Sequence, residues 1–269
     1  MPAPIISVRD LIVRYGSHVV LNGVNLDVER GEVMVLLGSS GSGKSTMLRQ
    51  IIGLDRPHSG TVHVQGVDIN NCSAQELKRV RRTMGVTFQE SALFNSLSIE
   101  ENIALPLREL TTLADPVIEI MVYMTLAAVG LGEAGKQMPQ ELSGGMKKRA
   151  AVARAIALDP EILVFDEPSA GLDPIVAAAL DELILFLKRA FRMTILVVTH
   201  EMASAFRIAD RIAMLYQGAL IAVDKKESFQ SSTDPRIRQF LDRCPDQMAE
   251  SATVQQRFRE LAGLTETTS

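Results

Sequence analysis

Apolar and polar positions change period several times along the chain. In the first thirty residues, the short β-prone runs Ile5–Val8, Leu11–Tyr15 and Leu26–Val28 are broken by turn signals at Arg9-Asp10, Gly16-Ser17 and Arg30-Gly31. This predicts antiparallel strands. Glu32–Leu37 is an almost solid apolar run that ends at Gly38, the pattern of a strand buried on both faces. A Gly/Ser-rich loop follows, then Lys44–Ile52 with apolar residues at helical spacing, and Thr61–Val67, which reads as a strand pair around Gly66.

From about Glu90 to Leu158 the strand signals fade. Leu93–Leu110, Pro116–Val129 and Gly144–Ala157 have helical periodicity, so a mainly helical subdomain is expected, inserted into an α/β core. Strand and helix signals then alternate: Ile162–Phe165, helix Pro174–Phe191, Thr194–Val198, helix Met202–Ala209, Arg211–Tyr216 and a hairpin strand Ala219–Val223. Such alternation argues for a largely parallel sheet with helices packed on it. From Ser228 the chain is polar, with Pro235–Leu241 and Val254–Leu261 as short helices and Thr265–Ser269 as a frayed end. The division expected is residues 1–227 as one domain, with residues 90–158 inserted, and 228–269 as a C-terminal extension.

Composition narrows the classes. The 269 residues suffice for one large domain or two small ones. Charged residues at 22% and hydrophobic ones at 46% fit an ordinary globular protein. A net charge of -4 and a pI near 5.7 lack the basic excess of nucleic-acid binders. Cys72 and Cys244 have neither metal-ligand spacing nor a disulfide framework, which fits two unrelated thiols in a reducing cytosol. The opening MPAPIISVRDL has no basic stretch followed by an apolar one, so no secretion signal is expected. The apolar runs Val33–Leu37 and Ile195–Val198 fall far short of the roughly 20 residues that span a bilayer, and Val176–Leu187 carries Asp181 and Glu182. Any membrane role is therefore expected to come through a partner.

Three motifs carry chemistry. The first is Gly38-Ser39-Ser40-Gly41-Ser42-Gly43-Lys44-Ser45-Thr46 between a buried strand and a helix, which fits the P-loop pattern. Glycines let backbone N–H groups approach phosphate oxygens closely, and the helix start adds positive potential. Lys44 would neutralise the β- and γ-phosphates, the Ser45 hydroxyl would ligate Mg²⁺, and Thr46 would donate toward the α-phosphate. The second is Ile162-Leu163-Val164-Phe165-Asp166-Glu167, an apolar strand ending in two carboxylates, which fits a Walker-B strand. Asp166 would hold Mg²⁺ through water, and Glu167 sits where a general base could polarise the attacking water. The third, Leu142-Ser143-Gly144-Gly145-Met146, is a Ser-capped, Gly-rich helix start followed by Lys147, Lys148 and Arg149.

LSGG upstream of a Walker-B strand resembles the signature motif of ABC ATPases. That resemblance covers roughly Ile5 to Val223 and implies a P-loop NTPase fold of the ABC type: an α/β, RecA-like core with an N-terminal antiparallel β subdomain and an inserted helical subdomain. It implies further roles. Tyr15 in VRYG resembles the aromatic that stacks on adenine. Gln89 in VTFQE resembles the Q-loop glutamine that touches Mg²⁺ and water. Ser169 to Asp173 and Pro174 resemble the D-loop, and His200 in ILVVTHE resembles the switch histidine at the γ-phosphate. In this family two copies bind two ATP molecules head to tail. Ser143 and the Gly145 amide of one copy would complete the site formed by Lys44, Gln89, Glu167 and His200 of the other. The implied cofactors are ATP and Mg²⁺. The implied partners are a second copy and integral membrane permease subunits.

The segment ALFNSLSIEENIALPLRE (residues 92–109) and the later stretch from Asp234 to Leu241 are similar to ATPases of Mla- and Mce-type lipid transport systems. Two departures stand beside this: Leu172 where Mla-type D-loops often carry Gln, and an ending after Pro245 unlike theirs. The resemblance implies a place on the cytoplasmic side of a bacterial inner membrane, with a Mce-domain lipid-binding protein and a small regulatory subunit as further partners. An importer of amino acids or other small solutes is the alternative. Non-transport ABC ATPases that act on DNA or ribosomes, or that gate a membrane complex, form a third class. The acidic pI and the single set of motifs count against nucleic acid.

Overall fold

The solid apolar runs form strands at the centre of a sheet, and the polar loops that end them line up along one edge. The computed structural model describes residues 3–242 and residue 244. In chain order the elements are β1 (Ile6–Tyr15), β2 (His18–Val28), β3 (Val33–Leu37), α1 (Lys44–Ile51), β4 (Ser59–Val64), β5 (Val67–Asp68), α2 (Ala74–Arg82) and β6 (Met84–Thr87). There follow α3 (Ile99–Leu110), α4 (Asp115–Ala128), α5 (Gly144–Ile156), β7 (Ile162–Asp166), α6 (Pro174–Phe191), β8 (Thr194–Thr199), α7 (Met202–Ile208), β9 (Arg211–Tyr216), β10 (Ala219–Lys225), α8 (Lys226–Gln230) and α9 (Pro235–Leu241).

Two sheets result. One has four strands in the order β2-β1-β4-β5, all antiparallel. The other has six in the order β10-β9-β3-β8-β7-β6, with only β10 antiparallel. Every residue of β3 and β8 is buried, as expected of strands covered on both faces. Residues from both sheets and from α1, among them Leu11, Leu26, Met34, Leu48 and Leu196, share one core.

The turn read at Arg9-Asp10 is instead a β-bulge within a single strand. The pairing of β1 with β2 shifts register between Val8 and Leu11, and Asp10 sits at φ 47°. Its amide donates to Asn25 Oδ1 at 3.0 Å, so a polar pair tolerant of the left-handed region bends the strand without ending it.

The helical segment differs from its periodicity at one end. Residues 93–98 precede α3 and are not part of it. The buried Asn102 amide donates to the carbonyls of Phe94, Leu97 and Ser98, and its Oδ1 accepts the Phe94 N–H at 2.8 Å. The helix starts where Ser98 and Glu101 form a capping box. Helices α3, α4 and α5 pack against one another. Ser98→Ala should lower stability by about 1 kcal/mol, read as a lower urea midpoint with an unchanged slope; an unmoved midpoint would mean the cap is not needed to start α3.

Helix α2 and strand β6 went unread in the sequence. The signal for α2 was present as a second capping box, in which Ser73 and Glu76 bond reciprocally. Among the described residues no helix is long and apolar enough to cross a membrane. Cys72 and Cys244 are free thiols.

The chain divides into two compact units, residues 1–229 and the segment from Gln230 onward. In the second, α9 is capped by Asp234, whose carboxyl is held down to about 2 by the Arg236 guanidinium and amide. The helix expected at Val254–Leu261 and the frayed end at Thr265–Ser269 lie outside the described residues.

Candidate functional site

Strand register assembles the site. Leu37 at the end of β3 pairs with Thr199 at the end of β8, Val198 of β8 pairs with Asp166 of β7, and Phe165 of β7 pairs with Thr87 of β6. The residues that follow these ends therefore emerge side by side: the loop 38–43 after β3, His200 after β8, Glu167 after β7 and Gln89 shortly after β6. This is the carboxyl edge of a parallel sheet, where open α/β folds bind ligands.

The loop ends in α1, whose cap is Gly43 at φ 106° with no side-chain bond to the first turn. A Cβ at Gly43 would stand 2.7 Å from Leu21 Cδ2, so only glycine fits this turn. The first amides of α1 remain available to an anion. Lys44, only 7% exposed, donates Nζ to the carbonyls of Gly38 at 2.9 Å and Ser39 at 3.0 Å. The loop carbonyls thus hold its ammonium in place. Burial pushes the Lys44 pKa down, while Glu167 and Asp166 pull it up. Ser42 Oγ is buried with no hydrogen-bond partner, whereas Ser39, Ser40 and Gly41 are exposed.

Glu167 is 8% exposed and held in the left-handed region, φ 48°, by its amide donating to Val198 O at 2.8 Å. Its Oε2 accepts from Thr199 Oγ1 at 3.2 Å and the His200 amide at 3.3 Å, and lies 2.9 Å from His200 Nδ1. Its Oε1 faces Lys44 Nζ at 3.8 Å. One oxygen is anchored, and the other is turned toward the P-loop lysine. Burial and the neighbouring Glu167 push the Asp166 carboxyl above the ordinary range; Lys44, the Ser45 hydroxyl and Lys148 pull it back. Asp166 Oδ1 is buried without a hydrogen-bond partner. A partnerless carboxylate oxygen beside the Ser45 hydroxyl is a hard-oxygen set that fits Mg²⁺, which binds through one or two protein oxygens together with phosphates and water.

The other residues singled out lie around this centre. Gln89 is exposed, and its carbonyl accepts from Lys148 Nζ at 2.6 Å. Tyr15, 54% exposed, donates its hydroxyl to Asp55 at 3.4 Å, and Asp55 pairs with Arg49 of α1 at 2.7 Å. Ser143 caps α5 by accepting the Met146 amide, and Asp173 caps α6 by accepting those of Ile175 and Val176. A Cβ on Gly145 would stand 2.5 Å from Val176 Cγ1, so the start of α5 is packed against the start of α6. The signature residues bond to their own helix and approach α6; none of these contacts runs to the P-loop. Thr199 and Lys148 went unassigned in the sequence. Thr199, directly before His200 at a strand end, is legible in hindsight; the carbonyl contacts of Lys148 are not.

A phosphate-binding strand–loop–helix facing two carboxylates at the end of β7, one strand removed in the same sheet, defines a P-loop nucleoside triphosphatase. The ABC transporter family profile matches residues 21–170. The chain is 44% identical to the probable ribonucleotide transport ATP-binding protein mkl of Mycobacterium leprae over 237 residues, 88% of this chain and 68% of that one. It is 41% identical to the intermembrane phospholipid transport system ATP-binding protein MlaF of Escherichia coli K12 over 244 residues, 91% of each. The dimeric post-hydrolysis structure of the ATP-binding cassette MJ0796 with ADP and Pi aligns with a TM-score of 0.75 at 30% identity, covering 82% of this chain and 98% of that one. The chain belongs to the ABC transporter family; it is an ATPase that uses ATP with Mg²⁺.

Proposed function

We propose that this chain powers a permease that moves phospholipids or other hydrophobic molecules across a bacterial envelope, from the cytoplasmic side of the inner membrane. Residues 1–227 act as the ATPase domain and 228–269 as a C-terminal extension. The transport reading is supported by similarity to the phospholipid-system protein over 91% of both chains. A groove of about 800 Å³ lined by apolar Leu77, Met84, Phe94 and Leu105 and by charged Arg81, Arg82, Glu109 and Arg154 suits an amphipathic helix of a membrane partner. A Mce-domain lipid-binding protein and a small regulatory subunit complete the assembly; nucleic acid has no part in it.

The observation that carries the catalytic reading is Glu167, set between Lys44 and His200 on adjoining strand ends. Loop amides 39–46 and Lys44 hold the triphosphate, and Tyr15 stacks on the adenine. Ser45, Asp166 and Gln89 are the protein groups that hold Mg²⁺, which when bound screens the phosphate charge. Glu167 Oε1 takes a proton from water as that water's oxygen attacks the γ-phosphorus. The bond to the β–γ bridging oxygen breaks, giving ADP and phosphate. Lys44 and His200 stabilise charge on the γ-phosphate oxygens. Ser143, Gly144, Gly145 and Asp173 complete the site of a second copy in a head-to-tail homodimer.

The test is capture of the tagged chain from its native membrane in mild detergent, with identification of associated subunits and extracted lipids. The expected result is a permease together with a Mce-domain protein and bound phospholipid. A permease with a soluble solute-binding protein would overturn the lipid reading in favour of small-solute import. The name of the mycobacterial relative, a probable ribonucleotide transport protein, makes nucleotides the first solutes to assay in that case. Recovery with no membrane partner would overturn the transport reading itself.

A further inference from the structure

Helix α5 begins with the signature serine, but its polar contacts run further along the chain. Lys148 Nζ lies 2.6 Å from the carbonyl oxygen of Gln89 and 3.4 Å from that of Glu167. Farther along the same helix, Arg154 donates Nη1 to the Ala92 carbonyl at 2.7 Å and Nη2 to that of Ser91 at 3.3 Å, with its guanidinium 5.9 Å from the centre of the Phe94 ring. Two cations of one helix thus hold three carbonyls of the segment 89–92 and one at the end of β7.

The held backbone is not relaxed. Ser91 at φ 60°, Ala92 at φ 51° and Glu167 at φ 48° are non-glycine residues in the left-handed region. Such residues persist only where neighbours over-determine them. The ammonium of Lys148 is well suited to this task. It has three donors that rotate freely, and here two point at main-chain oxygens from different elements. Because it grips carbonyls, it does not itself engage the side chains of Gln89 and Glu167. Burial pushes the Lys148 pKa down, and the neighbouring Glu90, Asp166 and Glu167 offset part of that push.

We propose that Lys148 is a positioning residue for ATP hydrolysis, holding the backbone of the Gln89 loop and of the Glu167 turn in place from the signature helix. This rests on the roles proposed above for Gln89 and Glu167.

The test compares the full chain with its Lys148→Met, Lys148→Arg and Glu167→Gln variants for Mg-ATP turnover, KM and unfolding temperature. Lys148→Met keeps the length of the stem and removes the donors. Its kcat should fall about tenfold or more, as expected when reacting groups lose alignment, while KM stays within about twofold. Lys148→Arg should recover a large part of kcat, since a guanidinium also offers donors to two carbonyls. Where the Met variant does not accumulate folded, Lys148→Gln, with one amide donor group, should give an intermediate kcat at unchanged KM. Full kcat in Lys148→Met would overturn the proposal. So would a lower kcat with a raised KM and a lowered unfolding temperature that Lys148→Arg fails to restore, because that is the signature of packing alone. Undiminished turnover in Glu167→Gln would instead overturn the reading of Glu167, and the Glu167 arm of the proposal with it.

Discussion

Glu167→Gln is expected to keep ATP bound and to lose phosphate release by about 10²- to 10⁴-fold, the range a positioned general base contributes. The substitution is close to isosteric. The carboxamide oxygen still accepts from the Thr199 hydroxyl and the His200 amide, which now bond to Oε2. The backbone strain at φ 48° is unchanged. What is lost is the group facing Lys44 at 3.8 Å, because an amide at that position cannot accept a proton from water at neutral pH. Binding has no reason to weaken: the Lys44 contacts to the Gly38 and Ser39 carbonyls involve no atom of residue 167. Removing one negative charge beside an incoming triphosphate should tighten it by a few-fold, since close like charges in a partly dry site repel. Equilibrium binding of a fluorescent ATP analogue, alongside released phosphate, separates the two effects. Phosphate release within tenfold of the unmodified chain would move the base to another residue.

The difference between what the sequence disclosed and what it hid follows from range. Gly38–Thr46, Asp166-Glu167 and the apolar runs around them were readable because each joins a local period to a local chemical requirement. The strand Val33–Leu37 is apolar throughout because both faces are covered, and the P-loop must start where it ends. Elements written in polar residues were harder. Helix α2 has one buried residue, Val80, so almost no apolar stripe marks it; only the Ser73–Glu76 cap does. Residues 93–98 read as helix because Leu93, Phe94 and Leu97 fall at helical spacing, whereas a buried Asn102 side chain takes the bonds a helix would have used. At the site, sequence order could name Glu167 and His200 but not their 2.9 Å contact. That contact depends on the pairing of β7 with β8, a long-range register no local pattern encodes. Lys148 was hidden for the same reason: its partners are main-chain oxygens 59 and 19 positions away, and carbonyls carry no residue identity.

Lys44→Met should weaken Mg-ATP binding about a hundredfold, or ~2.7 kcal/mol, the scale of a charge-assisted hydrogen bond to phosphate lost in a partly desolvated site. Lys44 is 7% exposed, so the lost attraction is not one that water or salt would already have screened. Turnover should fall with affinity and not recover at saturating ATP, because the same ammonium faces the developing charge on the γ-phosphate. Lys44→Arg is the sharper test. On charge alone, arginine would restore binding. The geometry argues otherwise: Nζ fits between the Gly38 and Ser39 carbonyls at 2.9 and 3.0 Å, in a turn where a Cβ on Gly43 would already clash with Leu21. A compact ammonium fits that slot, whereas a planar guanidinium with its donors fixed in a fork does not. Lys44→Arg is therefore expected to bind ATP as poorly as Lys44→Met, to within about threefold, in a titration of the full chain with Mg-ATP. Recovery of near-normal affinity in Lys44→Arg would show that the loop requires only a positive charge, and that the two carbonyl contacts do not set the geometry of binding.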